Sequence, residues 1–448
     1  MYNTKQICLG QKTKIHLNNA QKSYLDYLFR ITRLAKNYAV EQFNQTHDTR
    51  IFNDPYQLSE QFLKQNKNII KDLTTFPIFI IQSVFLDMQI QIKELLRNTT
   101  VEKLRLYPKK DIHFPSLKFA PSHFQIVNKK DSKKDYVLIK GLKHPIKLST
   151  KLRFKNSHII SITFKKRAGV YMLGLRIKLD EKDRKIIIKK YEKKNNHAIG
   201  IDLGIKETMT LSNGITIRYP CPYETNKNKI SIINKKISAK RFVAIKNKTP
   251  RSNNIRKLEL KLAKLSLHIT NIRLNYIHKI TTILVRHFDY IAMENLDVLE
   301  LFQNRIIARK LGDVSFYETF RQLIYKTKLA EKIFYQVDRY FPSTKKCARC
   351  GHIKKKMPLS ERTYYCESCH LAINRDHNAA INIKWRMIED IGCLPSKFTL
   401  VDFHNLQLDL KRNNVYSKKL KQETDMSHLK SDNKFGRRCG LYKFSCLK

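Results

Sequence analysis

Four cysteines stand in two close pairs, Cys347-Ala348-Arg349-Cys350 and Cys366-Glu367-Ser368-Cys369, with fifteen residues between them. Two knuckles at this distance can bring four thiolates to the corners of a tetrahedron, which is the closed coordination sphere of a structural Zn²⁺. With four protein ligands no position is left for water, so this metal is expected to hold the fold and not to activate a nucleophile. Gly351 suits the tight turn after the first knuckle, and His370 stands where the second would often carry Gly. The chain has nine cysteines. An odd number with two close pairs favours metal binding in a reducing compartment over disulfides. Cys8, Cys221, Cys393, Cys439 and Cys446 form no further close pair and are read as unligated.

A second set of residues is acidic. Asp202 interrupts an apolar strand in Gly200-Ile201-Asp202-Leu203-Gly204, and Glu294 closes another in Tyr290-Ile291-Ala292-Met293-Glu294. Asp376 opens a helix in Arg375-Asp376-His377-Asn378-Ala379-Ala380, just beyond the cysteine knuckles. Taken singly, each is more often a helix cap or a surface residue. Three converging carboxylates, however, repel one another unless divalent cations lie between them, and hard oxygen ligands suit Mg²⁺. Two such ions clamping a phosphodiester would hydrolyse nucleic acid. Arg375 is read either as a phosphate contact or as an ordinary helix start, and Asn378 either as support for a metal site or as a local cap.

The elements around these residues follow from periodicity. A strand is expected at Ala198–Leu203, followed by a hairpin through Asn213-Gly214, whose residue types favour a tight primed turn. From Lys227 to Lys264 there are thirteen basic residues and one acid, Glu259, and Leu258, Leu262, Leu265, Ile269, Ile272 and Tyr276 then give a long helix one apolar seam. Earlier in the chain, Lys12–Leu17 reads as a short strand and Leu25, Leu28, Phe29, Ile31, Leu34, Ala35, Tyr38 and Ala39 recur at helical spacing. A further helix is expected with Pro77 in its first turn. Ile159–Lys165 and Val170–Ile177 alternate as a hairpin within an antiparallel β unit, a barrel if it recruits the first strand. Glu181–Asn196 reads as a polar linker or exposed edge.

The 448 residues carry 88 Lys plus Arg against 38 Asp plus Glu, a formal net charge of +50, or about one excess positive charge for every nine residues. The 42% of hydrophobic residues suffices for real cores, and the length suggests two to four units. Such an excess points to a polyanionic partner, nucleic acid first and an anionic membrane surface second, and exceeds what small acidic metabolites require. No apolar run approaches about 18 residues and the first residues lack a secretory pattern, so an intracellular, cytoplasmic protein without a membrane partner is expected, nucleoid-associated when bound to DNA.

In this order, Gly-Ile-Asp-Leu-Gly, Glu294-Asn295-Leu296, Phe341-Pro342-Ser343-Thr344-Lys345-Lys346-Cys347-Ala348-Arg349-Cys350-Gly351 and Arg375–Ile383, the motifs resemble the TnpB family of transposon-encoded RNA-guided nucleases, relatives of the compact type V CRISPR effectors. The likeness is specific from about residue 196 to 390 and general before that. It implies a multidomain α+β protein: an N-terminal β-barrel-like unit with an inserted helical domain, then a RuvC-like, RNase H-type α/β nuclease domain with an inserted zinc ribbon. The corresponding divisions are 1–19 (first strand), 20–105 (helical recognition domain), 106–195 (wedge-like β unit), 196–343 and 372–390 (nuclease domain), 344–371 (zinc ribbon) and 391–448 (a basic extension, expected to be partly disordered or to touch RNA).

Asp202, Glu294 and Asp376 would then be the catalytic, Mg²⁺-binding acids, and Cys347, Cys350, Cys366 and Cys369 the zinc ligands. The implied partners are a guide RNA and a double-stranded DNA target read by base pairing. Two alternatives remain open at this point: a compact CRISPR effector, and a guided DNA-binding regulator of transposition that does not cut. The residues themselves leave the guide, the flanking DNA motif and the oligomeric state undetermined.

Overall fold

The computed structural model describes residues 8–70, 76–97, 115–127, 134–153, 158–191, 197–205, 207–297, 300, 303, 305–358, 360–392 and 403–420. The chain divides into two compact units, Met1–Lys185 with Ile233–Leu267, and Ile186–Ile232 with His268–Lys448.

The first unit begins with β1 (Cys8–His16), longer than the strand expected from Lys12 because its backbone pairing with a later strand runs back through Gln11, Gly10 and Leu9 to Cys8. In α1 (Asn19–Thr46), Asn18 and Gln21 form a reciprocal capping box, and Leu25, Leu28, Phe29, Ile31, Ala35 and Phe43 are buried. Asp54 caps α2 (Pro55–Gln65) by accepting from the backbone N–H groups of Tyr56 and Gln57. Pro77 lies just before α3 (Phe79–Leu95) and not inside its first turn, since Ile78 is the cap residue.

Six more strands follow: β2 (Ser116–Phe119), β3 (Phe124–Val127), β4 (Tyr136–Ile139), β5 (Ile146–Leu148), β6 (His158–Arg167) and β7 (Val170–Lys178). With β1 they form a near-barrel sheet in the order β2-β6-β7-β1-β5-β4-β3. The strand that joins its halves is β1, which pairs with β7 over residues 8–14 and with β5 at Ile15 and His16. Ala168 (φ 50°) and Gly169 (φ 78°) make the two-residue turn between β6 and β7. The stretch expected to be a linker is, over its described part, the helix α4 (Glu181–Tyr191). Asp180 accepts from the Asp183 N–H, acids fill the first turn and lysines the last, as the helix dipole favours.

The second unit opens with β8 (Ala198–Leu203), β9 (Met209–Leu211) and β10 (Ile215–Ile217). The turn between β9 and β10 is not the expected two-residue primed turn. β9 ends at Leu211 and β10 begins at Ile215, which leaves three loop residues, and of these Gly214 takes the left-handed conformation (φ 81°) while its N–H donates to the Leu211 carbonyl. The basic run is carried by two helices, α5 (Pro222–Lys246) and α6 (Asn253–His287), whose residues within Ile233–Leu267 belong to the first unit; they are two because Pro250 cannot continue the first helix. Then come β11 (Tyr290–Glu294), α7 (Arg305–Val314), α8 (Phe316–Leu329), β12 (Ile333–Val337), β13 (Thr363–Tyr365), β14 (Ala372–Asn374), α9 (Arg375–Ile391), α10 (Phe403–Arg412) and β15 (Ser417–Lys419).

Six of these strands build a mixed sheet in the order β12-β11-β8-β9-β10-β15, with β12, β11 and β8 parallel and the rest antiparallel, while β13 and β14 form a separate antiparallel pair. Along each strand, alternate residues serve opposite faces. Ile199, Ile201, Ile291 and Met293 pack with Ile277, Ile280 and Leu284 of α6 and Leu323 of α8. Ala198, Ala292 and Val337 face the other way, toward Ile383, Met387 and Ile388 of α9. Part of the C-terminal extension belongs to this unit: Leu406, Leu410 and Val415 are buried in the core and β15 adds an edge strand to β10. Cys393, Cys439 and Cys446 lie outside the described residues.

One buried cation in this unit has a measurable consequence. The Lys326 ammonium on α8 donates to the His278 carbonyl and to the Thr281 and Thr282 hydroxyls, and burial lowers its pKa to about 7. Between that value and the ordinary 10.5, the unfolded chain holds a proton that the folded chain has released, so this component of stability rises with pH. Denaturation of the parent and Lys326→Met at pH 6.5, 8 and 9.5 should show the rise in the parent only; parallel profiles would contradict it.

Candidate active site

Asp202 and Glu294 lie at the carboxyl ends of the neighbouring parallel strands β8 and β11, where open α/β sheets place their ligand sites. Ile201 pairs with Met293, and by the two-residue period Asp202 and Glu294 share a face with Ala198 and Ala292, the face that α9 covers. Asp376 sits in the first turn of α9, whose start is capped by the Asn374 side chain accepting from the N–H groups of Asp376 and His377. The three acids therefore meet at one end of one helix–sheet contact.

Their electrostatics agree with this placement. Burial, and after it the charges of Glu294 and Asp376, push the Asp202 carboxyl well above the ordinary carboxylate range, with Arg375 pulling the other way. Burial also raises Glu294, against the opposing effect of the Ser343 hydroxyl that donates to it. Among the described residues, the potential ligands whose atoms all fall within 4.8 Å of one another are Cys347, Cys350, Cys366 and Cys369.

Gly200 is what lets α9 come so close. A Cβ there would lie 2.1 Å from the Ala380 carbonyl oxygen and 2.6 Å from the Lys384 nitrogen, both backbone atoms that cannot swing aside. Gly200→Ala should therefore cost about 1–3 kcal/mol of folding stability as α9 is forced off the sheet. Equilibrium denaturation measures this, and a variant as stable as the parent would refute the close approach.

The cysteine cluster has its own internal symmetry. The N–H of Gly351 donates to the Cys347 carbonyl and that of His370 to the Cys366 carbonyl, each at 3.0 Å. Both residues take left-handed φ, 79° for Gly351 and 56° for His370, so the histidine does adopt the backbone that glycine would favour. Cys347 and Cys369 sulfurs lie 3.6 Å apart and those of Cys350 and Cys366 3.5 Å. Bonds of about 2.3 Å at tetrahedral angles require sulfurs about 3.8 Å apart, so the four thiols fit Zn²⁺. Burial raises the Cys347 and Cys369 thiols, whereas N–H groups of Cys369 and Ser368 and the neighbouring thiols outweigh burial at Cys366 and bring it down to about 7, so without a metal the four sulfurs do not share one protonation state.

Residues for which the sequence left two readings open, Asn378 and Arg375, and one it did not single out, Asn382, contact the segments around the first knuckle. Asn378 accepts from the Ala348 N–H (2.9 Å) and donates to the Lys346 carbonyl (2.7 Å), which makes it a buttress of the first knuckle and not a helix cap. Asn382 donates to the carbonyls of Ser343 (2.8 Å) and Lys346 (2.6 Å). Arg375 donates to the Pro358 carbonyl (2.9 Å).

Two family models divide this region between them. Residues 176–305, with Asp202 and Glu294, match the OrfB_IS605 model, described as "Probable transposase". Residues 316–383, with the four cysteines and Asp376, match the model described as "Cas12f1-like, TNB domain". Over these two stretches the chain is similar to proteins of the TnpB/OrfB family. Among similar proteins, one of Streptomyces pristinaespiralis named "Putative RNA-guided DNA endonuclease" is 35% identical over 186 residues, 42% of this chain and 44% of that one. An Escherichia coli protein with the same description, InsQ, is 30% identical over 200 residues, 41% of this chain and 48% of its own length. The TnpB-like protein L79 of Acanthamoeba polyphaga mimivirus is 30% identical over 203 residues, 42% of this chain and 37% of its own length. The chain thus spans about half the length, or less, of these curated relatives. A chain from a cryo-EM structure of a Cas12f1–sgRNA–target DNA complex aligns over 84% of this chain and 99% of its own at 17% identity and a TM-score of 0.26, too low to bear on the argument. No helix among the described residues is long and apolar enough to cross a membrane.

Proposed function

We propose that this chain is an RNA-guided DNA endonuclease whose second unit is a RuvC-like, RNase H-type nuclease core with the cysteine cluster as an inserted zinc ribbon. The observation that carries the reading is the meeting of Asp202, Glu294 and Asp376 at the carboxyl ends of two parallel strands, where burial and mutual repulsion make three bare carboxylates unfavourable. Divalent cations would relieve that repulsion, and a pair of Mg²⁺ ions would supply a nucleophilic water and neutralise the leaving oxygen of a phosphodiester. The chain's own part is to hold the three carboxylates on β8, β11 and the start of α9, and to fix α9 against the sheet through Gly200. The four thiolates hold a structural Zn²⁺.

In this reading the near-barrel sheet and α1–α3 of the first unit grip a guide RNA and its heteroduplex with DNA, for which the net charge of +50 provides the attraction. Sequencing of the RNA that co-purifies with the expressed protein tests this directly. A defined RNA species with a constant scaffold is expected; a random sample of cellular RNA would overturn the guided reading.

A further inference from the structure

We propose that Ser343 is a positioning residue for Glu294, held in place by Asn382 and thereby tied to both α9 and the cysteine cluster. The proposal rests on the reading of the three acids as a divalent-cation site and extends it to residues outside that set. Ser343 is buried, 4% exposed, and its hydroxyl donates to Oε1 of Glu294. Oε2 is then the oxygen left to coordinate a cation, and a carboxylate so anchored loses less freedom when the cation arrives.

Ser343 itself is not free to drift. It lies on the strap from Phe341 to Ala348, which joins β12 to the first cysteine knuckle, and its carbonyl accepts from the Asn382 amide at 2.8 Å. The same amide reaches the Lys346 carbonyl at 2.6 Å, where the Asn378 amide also donates at 2.7 Å, and the Asn378 oxygen takes the Ala348 N–H at 2.9 Å. Both asparagines are buried, 0% and 3% exposed, at positions one helical turn apart. Buried amides are retained where their hydrogen bonds are made, and here every one of those bonds goes to the strap. The helix that presents Asp376 thus also grips the segment that holds Glu294, so two of the three acids are set by one rigid body.

The probe is Mn²⁺, titrated into the full chain with its co-purified RNA and followed by electron paramagnetic resonance. Asp202→Ala measures how much of the binding belongs to the acid site and how much to RNA phosphates. For that site, Ser343→Ala should weaken Mn²⁺ binding by about 10–100-fold, the usual cost of losing an outer partner of a metal ligand. Ser343→Thr, which keeps the hydroxyl, should restore binding, and Ser343→Val, of the same shape without it, should not. In DNA cleavage the Mg²⁺ concentration for half-maximal rate should rise by a similar factor in Ser343→Ala, with the rate at saturating Mg²⁺ close to that of the parent. If Mn²⁺ binding is unchanged by Asp202→Ala, the acid site itself has been misread. If Asp202→Ala removes it but Ser343→Ala and Ser343→Val bind as the parent does, the positioning role is overturned and the site stands.

Discussion

Asp202→Ala should lower guided DNA cleavage by on the order of a thousandfold or more while leaving RNA binding at the parental level. A divalent ion supplies several kcal/mol of transition-state charge stabilisation, and each ~1.4 kcal/mol is a factor of ten in rate. Asp202 is the most deeply set of the three acids, on the inner strand β8, and its charge is the one most opposed by its neighbours. The same setting predicts an opposite effect on stability. With its folded-state pKa raised, the carboxyl holds its proton in the folded chain at pH values where the unfolded chain has released it. Stability therefore falls as pH rises through that window, and the penalty is complete above the folded pKa. In Mg²⁺-free buffer near neutral pH, Asp202→Asn should melt higher than the parent even though it no longer cuts. A lower melting temperature in Asp202→Asn, or cleavage by Asp202→Ala at the parental rate, would count against the assignment.

Removing the zinc should do comparable damage by a different route. Structural zinc contributes roughly 10–16 kcal/mol in small zinc modules, as much as or more than the 5–15 kcal/mol that hold a typical domain folded. Outside its metal ligands, the cluster's buried apolar partners are few, chiefly Tyr364, Leu371, Ile373 and Ile381. Cys366→Ser should therefore leave the ribbon unable to hold its fold. Because the strap carrying Ser343 includes Cys347, the loss should pass to Glu294, and cleavage should fail with all three acids intact. Elemental analysis should find one zinc per parental chain and less in Cys366→Ser. A zinc-free variant that cuts normally would show that the cluster and the acid site are independent. Since thiolates are the ligands, acidification should release the metal before it unfolds the rest of the unit.

Local chemistry was legible wherever residue type and spacing alone determine it. The CxxC pairs required no tertiary knowledge, and a strand of apolar residues ending in one acid is visible for Asp202 and Glu294 because a strand repeats every two residues. What the sequence hides is who lies opposite. Gly200 reads as one more strand residue until α9 is seen 2.1 Å from its missing Cβ. Asn378 reads either as support for a metal site or as a local cap, and Asn382 is not singled out at all, until the strap is seen against them. The helix α4 was obscured by its lysines, whose number suggests a solvated linker, although its Asp180 cap and graded charges are helical signals. The edge strand β15, Ser417-Lys418-Lys419, has no apolar alternation at all, and only its backbone pairing with Ile215–Ile217 makes it a strand. At the β9–β10 turn, Asn-Gly suggested a two-residue loop, and the register fixed by the buried faces of the two strands chose three.

The central claim is that the three acids form the cutting site of an RNA-guided nuclease. Its most direct test is to give the purified protein–RNA complex and Mg²⁺ a DNA that matches the variable end of the bound RNA, beside a DNA of scrambled sequence. The account predicts cleavage of the matching DNA, abolished by chelating Mg²⁺ or by Asp202→Ala and redirected when the RNA sequence is changed. Equal cutting of both DNAs, or none of either by a complex that still binds the matching one, would contradict it.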